Sequence, residues 1–391
     1  MEALKLKFEE YQARKIINVH KHVDGPWFWS KYSAHPYVGC RSGCEFCYSR
    51  GGHYLGRGDP DTFDTLIRAK TNAVELMRKE LPRLEKEIIV AGDWQQPAED
   101  RYRLSRGMLE VVLEQGLPLF IVERSPLIAR DLDLLVEINK RSWVGVAFSI
   151  SSLDPAMKRA FEPRSPGVRR RLMAMQAIAQ AGIMVGTSMM PIFPFLGDSE
   201  RQLEDLVLAT KESGGSFVLG GGLTMQGVQA ERTLAALQSM DTDLEGRWRG
   251  LYHWRPGGKP NYSPPQAHTA RLGRLVRDIC GRHAIMDRIP RYIQSGPLAI
   301  NKRIAERLFL KTYDLELEGA SNNKIWAYRK AAWTVDELSE SVGDMLRRDG
   351  QAGLEQLPSV GKSMATEIAD WLGTFSEAGD ETAKSTTPAN P

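Results

Sequence analysis

The stretch Gly39-Cys40-Arg41-Ser42-Gly43-Cys44-Glu45-Phe46-Cys47-Tyr48 holds three of the chain's 4 cysteines, spaced by three residues and then two, with an aromatic just before the last. Three thiolates on one short loop can ligate three irons of a cubane cluster and leave the fourth iron free to take a small molecule. An open iron is a catalytic iron. Two other readings compete with this one. A nearby His35 or His53 could complete a closed zinc site, although structural zinc sites usually draw paired C-x2-C knuckles from two places and only one group of thiols exists here. A disulfide role is disfavoured, because Cys280 is the only other cysteine and a large chain this poor in Cys reads as cytosolic.

At 391 residues, 42% hydrophobic and 26% charged, the chain is long enough for a large core and reads as two domains. The N-terminal MEALKLKFEEYQARK is charged and lacks an apolar signal region, and no apolar run approaches the ~18 residues of a membrane span. The expectation is a cytoplasmic protein with no membrane partner. A net charge of +3 is too small to announce a polyanion partner by itself, so a nucleic-acid argument has to come from local motifs.

Working outward from the cysteines, helical spacing predicts a helix over 64–81, with Leu66, Ile67, Val74, Met77 and Leu81 on one side and Pro82 ending it. Apolar runs then alternate with helical patterns. Strands are expected at 87–91, 119–122, 144–150, 183–190 and 217–219, and helices at 103–114, 131–139, 168–181 and 200–213. Gly182 stands where a helix C-cap needs it. This alternation predicts an α/β fold, a partial or full β/α barrel, with its active site in the loops after the strands. Those loops hold Gly92 to Glu99, Glu123-Arg124-Ser125, and Ser149 to Ser152 with Phe161 to Arg164. The basic run Arg169-Arg170-Arg171 reads as a solvated helix face.

The pattern C-x3-C-x-aromatic-C resembles the signature of radical S-adenosylmethionine (SAM) enzymes. Four further blocks, GDWQQPAEDRYRLSRGMLEV (92–111), RSPLIARDLDLL (124–135), FSISSLDPAMKRAFEPR (148–164) and AQAGIMVGTSMMPIFP (179–194), look like the spore photoproduct lyase-like branch of that family. The resemblance covers roughly residues 15 to 295, including Ile289-Pro290-Arg291. It implies a [4Fe-4S] cluster on Cys40, Cys44 and Cys47, with the amino and carboxylate groups of SAM on the open iron, and Phe46 packed beside both. Gly92 and Asp93 match the strand-two motif that approaches the SAM methionyl end, and Ser149 matches a strand-four serine that bonds SAM. Arg124 stands where the lyases carry a Lys that offers its charge to a carboxylate; the charge is kept and the geometry is not. The preceding Glu123 is a further departure. The lyases proper return hydrogen from a cysteine inside the barrel, whereas nothing between Cys47 and Cys280 is a cysteine, and Cys280 sits in a helical pattern as a packing thiol. Membership of the branch therefore does not imply dimer repair.

From about Gly296 the helical patterns follow one another without strands. The segments NKRIAE (301–306), LELEGA (315–320), WAYRKAA (326–332) and LPSVGK (357–362) resemble the small helix-hairpin-helix domain of family X DNA polymerases over about residues 298 to 375. The likeness implies phosphate binding at the hairpin by Val360, Gly361 and Lys362, with Lys324 and Lys330 near the DNA backbone. A helix N-terminus with free N–H groups suits such an anion. Ser359 replaces a usual Gly, and Glu367 occupies the place of a Schiff-base lysine, which removes any imine chemistry.

The organisation expected is a radical SAM partial barrel over 1–255, a C-terminal segment of the lyase-like region over 256–297, an all-α helix-hairpin-helix domain over 298–375, and a disordered polar tail over 376–391. The function expected is SAM cleavage to a 5'-deoxyadenosyl radical acting on DNA, with flavodoxin or ferredoxin as electron donor. Two alternatives remain open: a DNA-binding protein with a structural or redox-sensing cluster, and a radical SAM enzyme acting on RNA or protein.

Overall fold

The computed structural model describes residues 6–56, 58–240 and 243–382. The chain divides into two compact units, Met1–Pro290 and Arg291–Pro391. The first is built on a seven-stranded sheet. Six strands run parallel and lie side by side in chain order: β1 (Tyr32–Ala34), β2 (Ile89–Gly92), β3 (Leu119–Glu123), β4 (Val144–Ser149), β5 (Met184–Ile192) and β6 (Phe217–Gly222). The antiparallel strand Ile17–Val19 borders β1.

Parallel neighbours need a crossover, and helices supply each one. They are α1 (Ala73–Glu80), α2 (Leu104–Gln115), α3 (Leu132–Arg141), α4 (Pro155–Phe161) with α5 (Val168–Gln180), and α6 (Glu200–Glu212). After β6 come α7 (Gly227–Gln238), α8 (Asp243–Leu251) and α9 (Gln266–Arg282). Residues Val144 to Ser149 of β4 are buried at every position, the mark of a parallel strand covered on both faces. Ile89, Leu119, Val146 and Val185 of the sheet pack with Met108, Leu135, Ile138 and Met175 of the helices in one core. Gly182, at φ 78°, closes α5 as expected, its N–H donating to Ala179 O at 2.9 Å. The result is the expected α/β partial barrel, whose strand ends all point their loops to one rim.

The helix expected over 64–81 is in fact a strand followed by a shorter helix. Leu66–Lys70 pairs with Lys7–Tyr11 on one side and Tyr37–Val38 on the other in a separate three-stranded sheet. Its alternate residues Ile67 and Ala69 are fully buried, and the Asn72 amide binds Ala13 N and O at 2.9 Å, so the helix begins only at Ala73. Cys280, on α9, is buried in the barrel core as a packing thiol, and burial pushes it up to about 12.

The described residues of the second unit form α10 (Ala299–Glu318), α11 (Asn322–Asp336), α12 (Val342–Glu355) and α13 (Lys362–Thr382). Ile304, Leu308, Phe309, Val335, Leu354 and Ile368 are buried there. Ser321 and Ser341 cap α11 and α12. Helix α13 continues to Thr382, past the tail boundary expected at 375, and residues 383–391 of that expected tail lie outside the described residues. Among the described residues no helix is long and apolar enough to cross a membrane.

Candidate metal and cofactor site

The cysteine loop leaves the rim just after β1 and Tyr37–Val38. Two glycines shape it. Gly39 has φ 89°, and a Cβ there would lie 2.6 Å from Leu66 O; Gly43 has φ 59°, and a Cβ would lie 2.7 Å from Asp64 Oδ2. Turns in which Gly43 N donates to Cys40 O and Cys47 N to Cys44 O, both at 3.2 Å, gather the thiols. Cys40 and Cys44 are buried, Cys47 is half-buried, and none is in a disulfide.

Arg50, fully buried, holds this loop from inside. Its guanidinium donates to Gly43 O at 2.9 Å, Cys44 O at 3.1 Å and Pro60 O at 3.2 Å. It also lies 3.8 Å from Asp64, whose other oxygen meets Arg164. A second clamp joins the loop to the end of β2. The buried Gln96 amide donates to Gly39 O and Asp93 O, both at 3.0 Å, and accepts from Arg41 N at 3.2 Å. Asp93 takes φ 56°, and its carboxylate acts on both Cys40 and Cys47. Gly92, at the end of β2, is half-buried, and a Cβ there would make ordinary contact with Val122 O at 3.8 Å and the His35 ring at 3.9 Å.

Behind these loops lies the explanation of the QQPAEDRYR and RSPLIARD blocks. Glu99 and Asp131 are both fully buried. Arg130 binds Glu99 at 2.8 Å and Asp131 at 2.7 Å, Arg106 binds Asp131 at 3.1 Å, and Gln95 donates to Asp131 at 3.1 Å. This network fixes the β2 and β3 loops to each other. Glu123 belongs to the same frame: its carboxylate accepts from the N–H groups of Gln95, Arg124 and Ser125 at 3.1, 2.7 and 3.0 Å. Burial and then Asp93 push it up to about 7 against those bonds.

On the far side, Arg124 and Arg171 enclose Glu162, each at 2.5 Å. Burial alone would raise Glu162, but the two guanidiniums overcome it and hold the carboxyl at about 2. Arg171 also donates to Ser149 O at 2.8 Å, fixing the end of β4. The expected solvated run is thus corrected at one position: Arg169 and Arg170 are exposed, whereas Arg171 is fully buried in an ion pair. The Arg124 guanidinium sits 5.4 Å from the Phe46 ring centroid, and Phe46 packs edge-on against Phe193 at 5.3 Å. Burial pushes Cys44 up to about 12, with Arg124 pulling it back. Cys40 and Cys47 are raised by burial and then by Asp93.

The structure therefore brings Cys40, Cys44, Cys47, Phe46, Gly92, Asp93, Arg124 and Ser149 to one rim. The sequence reading placed Gln96 and Glu162 in rim loops without giving them a role, took Arg171 for a solvated residue and did not single out Arg50, since burial of a charged residue gives no periodic signal. Among the described residues no group of three or more His, Cys, Asp or Glu side chains is arranged to hold a metal ion. His35 is turned to Gly92 O, 3.3 Å away, and the side chain of His53 lies outside the described residues. A cubane makes a different demand, since each thiolate takes its own iron. Three thiols on one glycine-shaped loop with a buried cation beside Cys44 fit such a group.

Residues 35–207 match the radical SAM superfamily. The chain belongs to that superfamily. Membership implies a [4Fe-4S] cluster and SAM, and Cys40, Cys44 and Cys47 are the residues that would hold the cluster. An uncharacterized protein of Mycobacterium tuberculosis is 32% identical over 238 residues, 59% of this chain and 70% of that protein. An uncharacterized protein of Methanocaldococcus jannaschii is 27% identical over 199 residues, 50% of this chain and 71% of that protein. Among solved structures, spore photoproduct lyase complexed with dinucleoside spore photoproduct superposes with a TM-score of 0.53 at 18% identity, covering 70% of this chain and 79% of that one. The likeness is one of fold.

In the second unit, Gly361, Lys362, Lys324 and Lys330 are exposed and Val360 is buried. The turn before α13 is tight: Val360 N donates to Leu357 O at 3.0 Å and Ala365 N to Gly361 O at 2.9 Å. Ser359 takes φ 64°. Glu367 accepts from the Tyr328 hydroxyl at 3.1 Å.

Proposed function

We propose that this protein is a radical SAM enzyme of the spore photoproduct lyase-like kind that acts on DNA. The observation carrying the reading is the loop of three thiols held at the strand ends opposite Asp93 and Arg124. The bound cluster and SAM would supply a 5'-deoxyadenosyl radical that abstracts a hydrogen atom from the substrate. The chain's own residues do the rest. Arg50 and Gln96 hold the thiols in place, Gly92 presents a half-buried backbone at the rim, and the Glu162 network orients β4 at Ser149. Phe46 gives the site an apolar wall that excludes water. Flavodoxin or ferredoxin would deliver the electron.

The helical unit is the reason to favour DNA. We read 298–375 as a helix-hairpin-helix module in which the turn at Val360 and Gly361 presents the start of α13 to a phosphate, the Val360 N–H itself being taken by Leu357 O, and Lys324, Lys330 and Lys362 add charge. Glu367, engaged by Tyr328, cannot form an imine, so the unit is a binding module without lyase chemistry of its own. With Cys280 sealed in the barrel core, repair by a cysteine hydrogen donor is not the reaction proposed.

The test is anaerobic reconstitution followed by iron and sulfide analysis, SAM cleavage, and a search for deuterium transfer from labelled DNA into 5'-deoxyadenosine. Cys44→Ala should abolish SAM cleavage. Stoichiometric zinc without iron in freshly reconstituted protein would sink the radical assignment, and SAM cleavage with no transfer from any DNA would sink the substrate.

A further inference from the structure

The Glu162 cluster holds two guanidiniums and one carboxylate, all in the protein interior. Arg171 belongs to the scaffold, since it also holds Ser149 O and Pro166 O. Arg124 does not. Apart from Glu162, its guanidinium faces the Phe46 ring, one residue from Cys47 and two from Cys44. Glu123, its chain neighbour, is occupied by backbone N–H groups and Asp93 stands across the site toward Cys40 and Cys47, while Lys158 adds another cation near Glu162. The carboxylate that the family resemblance would pair with Arg124 belongs to SAM, yet this guanidinium already has a carboxylate from its own chain.

We propose that Arg124, locked by Glu162 over Phe46, sets the redox balance of the iron-sulfur group held by Cys40, Cys44 and Cys47, and does not serve primarily as the anchor for SAM. The inference rests on the cluster reading above. A one-electron reduction places a further negative charge on the group; a fixed cation nearby, in an interior that screens poorly, stabilises the reduced form. Arg124 acts through charge on the cluster's surroundings and is a positioning residue.

The experiment uses reconstituted full-length protein without SAM, reduced by dithionite at a series of poised potentials and followed by electron paramagnetic resonance. In Arg124→Gln, which leaves Arg171 and Glu162 as a balanced pair, the ratio of reduced to oxidised cluster at a fixed potential should fall about tenfold, a midpoint about 59 mV lower for one electron. Arg124→Lys should stay close to the parent protein. Iron and sulfide content is measured on every variant. A full complement of iron with an unchanged ratio in Arg124→Gln overturns the proposal, and weakened SAM binding in that variant then assigns Arg124 to the ligand instead. Should Arg124→Gln lose its iron, Glu162→Gln is read, and a ratio shifted the opposite way supports the proposal. Loss of iron in both, and in Arg124→Lys as well, makes the network a structural clamp and overturns it. If the parent protein itself takes up no iron, it is the cluster reading that falls.

Discussion

Arg50→Met is the most direct perturbation of the cysteine loop. The side chain is fully buried and donates to three carbonyls, those of Gly43, Cys44 and Pro60. Methionine keeps the apolar stem and loses every donor. Hydrogen bonds to a charged group contribute about 1.5–3 kcal/mol each, and stranded buried acceptors add a desolvation cost, while the lost burial of the charge itself gives some of this back. Asp64 retains Arg164, so the change does not leave an isolated carboxylate. The net loss expected is about 3–5 kcal/mol. Urea unfolding of the full chain without metal measures it, and hydrogen exchange at the amides of residues 40–50 locates it. Exchange there should accelerate while the amides of β4 stay protected. Arg50→Lys should recover only part of the loss, because one ammonium cannot span three carbonyls. A loss under about 1 kcal/mol with unchanged exchange in the loop would refute the claim that Arg50 holds it.

Gly43→Ala should cost at least about 2 kcal/mol and lower iron uptake on reconstitution, since it forces a left-handed residue and a contact with Asp64; equal iron content in the variant contradicts this. Deleting 291–391 should weaken DNA binding and flatten its salt dependence while cluster assembly persists, each lost Lys–phosphate contact removing about 1 from the log-log salt slope; anisotropy titrations at several salt concentrations check it. Glu162 has its folded carboxyl lowered to about 2 from 4.5, so its contribution is complete above about 4.5 and disappears as pH falls toward 2. Acid unfolding should therefore lose up to about 3 kcal/mol across that window, and Glu162→Gln should flatten the curve. On the helix-hairpin-helix reading, borohydride should trap no adduct between the helical unit and abasic-site DNA, because Glu367 would stand where an amine is needed.

What the sequence made legible follows from local physics. The strands from β2 to β6 are apolar runs of the right length between helices with clear periodicity, and the three cysteines declare themselves by spacing alone. The segment 64–81 misled because Leu66, Ile67, Val74 and Met77 fit a helical stripe as well as they fit a strand and a helix. The choice was made by partners at Lys7–Tyr11 and Tyr37–Val38, far away in sequence. β1 is only three residues long, too short to carry a period. Arg50, Glu99, Asp131 and Arg171 are charged residues that the fold buries in pairs, which no hydrophobic pattern announces.

The Gln96 clamp has a consequence for how the protein matures. It joins residues 57 positions apart in the chain, and the Glu99 network behind it reaches further still, to Arg130. A nascent chain that has emerged only as far as Asp64 already displays all three thiols, but with neither the β2 loop nor its amide to arrange them. During synthesis those cysteines are open to oxidation and to any thiophilic ion, and only completion of the first half of the barrel gives them a defined arrangement. A cluster on these cysteines would therefore meet its arranged ligands only after that half of the barrel has folded.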